Sequence, residues 1–415
     1  MRKILFTLLI LLLLGEAYTF ILIRSSLRPM NRWWKKALFS FYILVTLFTW
    51  GCLFMFRSLL MGDLSHLARN IFLAFLLGFM LGKIVIAILM LMDDLRRILL
   101  WMVFKLFPKT KRKISSSSHD IPRSLFIKRM ALITGGSMLG GLLYGMSNRY
   151  NYQVRNIKLN FKNLPASFRG LRILQISDIH AGSFDSHESV EKGVLKIMEQ
   201  KPDIIFFTGD LVNNKAEEFN PYIELFSRLK APLGIYSTLG NHDYGDYIKW
   251  ESPMAKAANL EELKRMHAQM NWKLMMNEHV ILQRGEESIA VIGVENWGGR
   301  ANFPKYGDLK KACNGLEEKN IPFKILLSHD PSHWDHQVTK EFKDIDLTLS
   351  GHTHGMQFGI EIPGLNWSPV QYLYKNWAGL AKENEQHLYV NRGYGFLGYP
   401  GRLGIMPEIT VIELS

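Results

Sequence analysis

The sequence predicts two unlike halves, an α-helical transmembrane region over residues 1–149 and an α/β domain over residues 150–415. Three observations carry this reading. The 415-residue chain is 48% hydrophobic, and its long apolar stretches fall in the first 150 residues. From Asn151 onward, short strand-like runs alternate with helical patterns at 187–200, 221–229 and 255–270, as in an α/β layer arrangement. Later strand-like runs at 273–282, 288–294, 387–390 and 409–414 have few helices between them and imply a second sheet.

In chain order, residues 5–23, 37–56 and 71–92 each approach the ~20 residues that a helix needs to cross a hydrocarbon core. The first lacks a small-residue cleavage site and leads into further spans, so it reads as a span and not a cleaved leader. A fourth span, 130–146, is punctuated by Gly135, Gly136, Gly140, Gly141 and Gly145, a spacing that lets a neighbouring helix approach closely. Its lead-in, Pro122-Arg123-Ser124-Leu125-Phe126-Ile127-Lys128, resembles a twin-arginine export signal with Ser124 in place of the second arginine. Residues 98–107, interrupted by Lys105, are too short to cross and are expected in the interface. Lys83, inside the third span with no evident acidic partner, is expected to snorkel or pack against another helix. Ser115 to Ser118, beside His119 and Asp120, read as a flexible loop.

Lysine and arginine gather on cytoplasmic loops. Arg24, Arg28, Arg32, Lys35 and Lys36 mark the first loop, and Arg96, Arg97, Lys105, Lys109, Lys111, Arg112, Lys113, Arg123, Lys128 and Arg129 mark the third. The second loop has only Arg57 and Arg69 against Asp63. An external N-terminus and four crossings follow, with the α/β domain outside the cytoplasm. The +13 net charge is then largely topology and lipid-headgroup contact, and no nucleic-acid motif accompanies it. The sequence carries no signal for an oligomeric state.

Five polar motifs run through the second half: Asp178-Ile179-His180, Gly209-Asp210, Gly240-Asn241-His242-Asp243, Ser328-His329-Asp330 and Gly351-His352-Thr353-His354. Each follows a short apolar run (171–176, 204–207, 235–239, 323–327, 347–349), which reads as a buried strand delivering polar residues at its C-terminal end, so the motifs should converge along one sheet edge. A single Gly-Asp after a strand is usually a turn, and an isolated His-x-His pair is common on surfaces. Five in series specify a two-metal hydrolase. Two divalent ions about 3.5–4 Å apart can present a hydroxide to phosphorus and stabilise the leaving oxygen. Carboxylate, imidazole and amide ligands suit Mn, Fe, Zn or Co better than a thiolate-seeking ion. The two cysteines, Cys52 and Cys313, lie outside the motifs and form no disulfide framework.

In order and wording these motifs resemble the calcineurin-like metallophosphoesterase superfamily (DxH, GD, GNH(D/E), a lone His and GHxH). The resemblance extends from about Tyr152 to Ser415 and looks closest to a bacterial membrane-associated or exported branch. That branch is matched by Leu164-Pro165 with Gly170-Leu171-Arg172-Ile173, by Gly351 through Gln357, and by Pro407-Glu408-Ile409-Thr410, with Met356 standing where glycine is common. The resemblance implies a four-layer sandwich of two mixed β-sheets flanked by helices. It assigns Asp178, His180 and His354 to one metal, Asn241, His329 and His352 to the other, and Asp210 to both. His242 is left as general acid or transition-state stabiliser, worth ~10²- to 10⁴-fold in rate. Asp243 would orient His242 or tie a loop, and Asp330 would support a ligand.

The function expected is hydrolysis of a phosphodiester, pyrophosphate or phosphomonoester of an envelope or lipid-linked substrate, by attack of metal-bound hydroxide. Residues 209–214 lack the Asp-Arg that follows this site in Ser/Thr protein phosphatases, which disfavours a phosphoprotein. One alternative is a UDP-diacylglucosamine-type pyrophosphatase, whose substrate is cytoplasmic. Another is a membrane transport or sensory protein with a ligand-binding phosphoesterase-like domain, against which stands the lack of paired charges in the spans. Tyr244, Trp250, Trp297, Trp334, Trp367 and Trp377 are candidates to line an apolar groove, or equally to pack in the core.

Overall fold

The computed structural model describes residues 2–27, 30–54, 66–106, 123–299, 303 and 305–415. The serine loop at 115–118, the basic residues at 109–113, and Arg28, Arg57, Asp63 and Pro122 lie outside them. The chain divides into two compact units, Met1–Tyr144 and Gly145–Ser415.

Among its described residues the first unit has four long helices: α1 (Arg2–Ser26), α2 (Arg32–Phe54), α3 (His66–Leu106) and α4 (Arg123–Gly145). Among the described residues, segments Arg32–Phe54, Phe72–Leu106 and Arg129–Asn148 are long and apolar enough to cross a membrane. Leu22, Ile86, Met90 and Ala131 pack together between helices, while Leu44, Leu47, Phe48 and Ile88 remain exposed, the pattern of a bundle whose outer solvent is lipid. Glycine spacing works as expected at one point. A Cβ on Gly82 of α3 would stand 2.8 Å from the Gly135 carbonyl oxygen of α4, so only glycine permits that approach.

Two expectations are corrected here. Residues 98–106 are not a separate interfacial segment but the continuation of α3, whose 41 residues reach about 60 Å, twice the ~30 Å core of a bilayer. Lys83 has an acidic partner after all, because Glu16 on α1 forms an ion pair with its ammonium. Glu16 also accepts from Trp50 Nε1 at 2.7 Å and from the Tyr42 hydroxyl at 3.2 Å, and Lys83 Nζ donates to Thr46 Oγ1 at 3.2 Å. The spans therefore do contain a paired charge, closed by side chains from α1, α2 and α3. Partners so far apart in sequence were invisible to a local reading.

In the second unit, β1 (Gln153–Leu159), β2 (Arg172–Ile176), β3 (Ile204–Thr208), β4 (Ile235–Thr238), β5 (Trp272–Leu274) and β14 (Glu408–Leu414) form one six-stranded sheet in the order β1-β14-β2-β3-β4-β5. The other six-stranded sheet has the order β12-β13-β9-β8-β7-β6, from β6 (Glu278–Arg284), β7 (Glu287–Gly293), β8 (Lys324–Leu327), β9 (Leu347–Ser350), β12 (Gly379–Glu383) and β13 (Gln386–Val390). Both are mixed: β2, β3, β4 and β5 run parallel, as do β7, β8, β9 and β13, with antiparallel partners beside them.

Period-two alternation builds the layers. Ile173, Ile204 and Phe206 join Ile325, Leu327 and Tyr389 in the core between the sheets. Their neighbours Leu174, Ile205 and Phe207 face helices α5 (His187–Glu199) and α6 (Pro253–Gln269), and Leu326, Leu388 and Val390 face a third core around Trp334. Helices, sheet, sheet and helices make the expected four layers.

The predicted strand at 273–282 is two strands in different sheets. The chain leaves β5, turns through Asn277 at φ 59° and starts β6, an edge strand of the other sheet. Apolar Met275 and Met276 bridge the turn, so hydropathy gave no break there. β12, on the edge, and the hairpin of β10 (Ile360–Ile362) and β11 (Leu365–Trp367) had no strand-like run to announce them.

Buried His267 on α6 meets Ser237 Oγ at 2.9 Å and is pushed down to about 3 by burial. It is neutral when folded but titrates near ~6.5 when unfolded, so its contribution is complete above that pH and is lost as pH falls toward its folded value. Denaturation of the catalytic unit at pH 5.5 against 7.5 should show about 1 kcal/mol of acid destabilisation through His267, removed in His267→Gln.

Candidate metal centre

The five motifs meet at one end of both sheets and not along one sheet edge. Asp178, Asp210 and Asn241 follow β2, β3 and β4, while His329 and the loop at 352–354 follow β8 and β9 of the facing sheet. Gln175 Nε2 crosses between the sheets to the Ser350 carbonyl at 2.9 Å and holds these two ends together.

Asp178, His180, Asp210, His352 and His354 all take left-handed backbone, with φ of 53°, 49°, 62°, 72° and 49°. Such conformations cost non-glycine residues about 1–3 kcal/mol each and persist where the surroundings over-determine them. Here the loops are stitched in series. Asp178 N–H donates to Gly209 O (2.9 Å), His180 N–H to Asp210 O (3.1 Å), His242 N–H to Asp210 Oδ1 (2.9 Å) and His352 N–H to the Asp178 carboxylate (3.0 Å). Gly240 and Gly351 make this crowding possible, since a Cβ on either would strike the Asp210 or Asp178 carboxylate.

Two ligand groups result. Asp178, His180 and His354 place ligand atoms within 4.8 Å of one another, and so do Asp210, His329 and His352. Asp210 Oδ2 stands 3.1 Å from His329 Nε2 and 3.5 Å from His180 Nε2, between the groups. Asn241 Oδ1 is 2.8 Å from His352 Nδ1.

The donor set fits divalent ions. His329 Nδ1 donates to the Thr208 carbonyl at 2.7 Å, which turns Nε2 toward Asp210. Both ring nitrogens of His180 and Nε2 of His354 are buried without a hydrogen-bond partner among the described residues, an arrangement a bound cation would complete. Burial alone would lower His329, yet the Asp210 and Asp178 carboxylates push it up to about 10. Burial alone would raise Asp178, yet His354 and His329 hold it below the usual carboxylate range. Both carboxylates thus stay ionised among the imidazoles, as a cation site would require.

His242 lines the adjoining cavity, about 600 Å³, without joining either group. Its Nδ1 donates to Asn213 O at 2.7 Å, so Nε2 is the nitrogen left for a substrate. Glu218 Oε2 in turn accepts Asn213 N–H at 2.6 Å and fixes that carbonyl. Asp243 is the loop-tying residue: its carboxylate accepts the N–H groups of Gly240 (2.8 Å), Asp210 (2.9 Å), Leu211 (2.8 Å) and Val212 (3.3 Å). Burial and neighbouring Asp210 push it up to about 7. Asp330 Oδ2 lies 3.7 Å from His352 Nε2, a supporting position.

None of the six aromatic candidates lines the cavity. Tyr244, Trp334 and Trp377 are core residues, and the apolar lining is Tyr247, Phe303, Met356, Val370, Leu373, Tyr374 and Leu397. Tyr374 reaches His352 Nε2 at 2.8 Å, and the Tyr247 hydroxyl accepts from Asn241 Nδ2 at 2.8 Å. Sequence reading also missed Arg402, fully buried behind the site, with Nη2 3.3 Å from His354 Nδ1 and donating to the Gly393 carbonyl at 3.0 Å. No local motif marks it.

Fold and site together define a metal-dependent phosphoester hydrolase. Residues 171–356 match the family "Calcineurin-like phosphoesterase", and residues 1–149 match "Probable Calcineurin-like phosphoesterase, transmembrane domain". The chain thus carries a calcineurin-like phosphoesterase domain and, ahead of it, a transmembrane domain that associates it with a membrane. It is 32% identical over 280 residues to a transmembrane protein with metallophosphoesterase domain from Danio rerio, covering 66% of this chain and 60% of that one. It is 29% identical to the uncharacterized metallophosphoesterase YkuE of Bacillus subtilis (71% and 97% covered) and 26% identical to the phosphodiesterase YaeI of Escherichia coli (71% and 99%).

Asp243→Ala would strand four buried backbone donors, each worth about 1–3 kcal/mol. Thermal melting should show a loss of at least ~3 kcal/mol, with only part of it recovered in Asp243→Asn, which keeps one acceptor oxygen but turns an NH2 donor toward two of the four amides.

Proposed function

We propose that this protein is a membrane-anchored hydrolase with two divalent ions, of the Mn, Fe, Zn or Co type, that cleaves a phosphodiester or related phosphoester of a lipid-linked or envelope compound. Residues 150–415 form its catalytic domain. The observation that carries this is Asp210, whose one carboxylate stands between two ligand groups opening onto the same cavity as His242. Asp178, His180 and His354 hold one ion, Asn241, His329 and His352 the other, and Asp210 both. Bound there, the ions supply a nucleophile from water at neutral pH and charge to stabilise the leaving oxygen.

The chain's own residues do the rest. His242, with Nδ1 held by Asn213, carries a proton on Nε2 to the departing alkoxide. Tyr247, Phe303 and Tyr374 shape an apolar wall for the group beyond the phosphate. A diester is favoured by the name of the Escherichia coli relative, a phosphodiesterase.

The catalytic domain is extracytoplasmic. Support comes from residues 98–106, which continue α3 and do not return as a separate span. With four crossings, the bias of lysine and arginine puts the basic clusters at 24–36 and 96–129 inside. That location argues against the UDP-diacylglucosamine-type reaction. The Glu16–Lys83 pair is closed by Trp50, Tyr42 and Thr46 and gives no support to a transport path.

Turnover of bis-p-nitrophenyl phosphate with added Mn tests the reading. His242→Ala should lower kcat by ~10²- to 10⁴-fold with metal retained, and Asp210→Asn should abolish turnover. Full activity in either variant contradicts it.

A further inference from the structure

Beside the cavity stands a two-stranded ribbon, β10 and β11, that belongs to neither large sheet. Its register pairs Ile360 with Trp367 and Ile362 with Leu365, and directly opposed residues share a face, so all four apolar side chains lie on one side. Ile362 is 58% exposed, Leu365 47% and Ile360 44%. The opposite side carries Glu361 paired with Asn366. Glu361 is gripped by Arg392 Nη2 at 2.6 Å and by Arg155, which clamps the polar side to the body of the domain and holds the apolar side outward.

The apolar character continues to the reacting centre. Leu373 and Met356, each 43% exposed, belong both to the surface and to the cavity lining, and Tyr372 is 76% exposed next to Leu373. Lys375, exposed two residues on, supplies a cation of the kind that settles at headgroup level. Met356 keeps this rim apolar at a backbone φ of 50°, where glycine would be unstrained.

The occupant of such a face is set by the rest of the chain. Only residues 146–152 lie between the last apolar helix and β1, at most ~25 Å when fully extended. A bilayer is therefore always within reach, at an effective concentration that no free partner matches.

We propose that the apolar face of the ribbon rests in the lipid surface and that the cavity takes an amphiphilic phosphoester from that bilayer. Its phosphate lies against the metal-ligand groups and its tail leaves along Met356 and Leu373. The inference rests on the hydrolase reading for its reaction: water adds to phosphorus, the bond from phosphorus to the leaving oxygen breaks, and that oxygen takes a proton. The contact of the ribbon with lipid is independent of it.

The test uses the full chain in phosphatidylethanolamine and phosphatidylglycerol vesicles. An environment-sensitive fluorophore on Leu365→Cys, with Cys52 and Cys313 replaced by Ser, should be quenched by a bromolipid and shielded from aqueous iodide. A label on Glu286→Cys, exposed in the turn between β6 and β7, should behave oppositely. With Mn added, hexadecyl p-nitrophenyl phosphate should be cleaved at least tenfold more efficiently than ethyl p-nitrophenyl phosphate. Ile362→Asp/Leu365→Asp should abolish that preference and leave turnover of the ethyl diester unchanged. Iodide access at residue 365, crosslinking of residue 365 between two copies, or a preference that survives the double substitution would overturn the proposal. A wild-type chain that cleaves neither diester would sink the hydrolase reading, while the quenching result still decides the lipid contact.

Discussion

The Asp210 carboxylate is the constraint on which the centre depends. One oxygen accepts the His242 amide, and the other stands between His180 and His329. To reach that position Asp210 takes a left-handed backbone directly after β3, and the neighbouring loops must leave room for it. Gly240 does so by having no side chain, and Asp243 holds the result by accepting the amides of Asp210, Leu211 and Val212. A buried carboxylate with this many imidazoles around it is an electrostatic arrangement suited to a bound cation.

Such strain needs a rigid frame. Parallel strands whose residues alternate between the inter-sheet core and the helical layers leave the strand ends little freedom, and the Gln175–Ser350 hydrogen bond fastens the two ends that carry the ligands. Arg402 does comparable work behind His354 by donating to backbone carbonyls of the segment around Gly393. The candidate ligands thus occupy positions set by the sheets, and the cavity beside them is free to vary with its loops.

What could be read from the sequence was whatever is local. A strand followed at once by His and Asp is a short-range pattern, and all five motifs arrived at the same end of the fold for that reason. The layered architecture also followed from local alternation. What could not be read depends on distance along the chain. Nothing near Met275 and Met276 says that the strands on either side join different sheets. Glu16 and Lys83 meet only because α1 and α3 pack together, and Arg402 reaches His354 from a segment with no motif. The cavity's apolar wall came from Tyr247, Phe303 and Tyr374, whereas three of the conspicuous aromatics, Tyr244, Trp334 and Trp377, were drawn into cores by their size.

In the proposed centre one carboxylate, that of Asp210, organises two ions at the mouth of the cavity. Its most direct test is the metal content per chain, measured by elemental analysis after reconstitution with Mn, in the wild type and in Asp210→Asn. The account predicts two ions in the wild type and fewer in the variant, with the fold intact. A single ion in the wild type, or two retained without the Asp210 carboxylate, would contradict it.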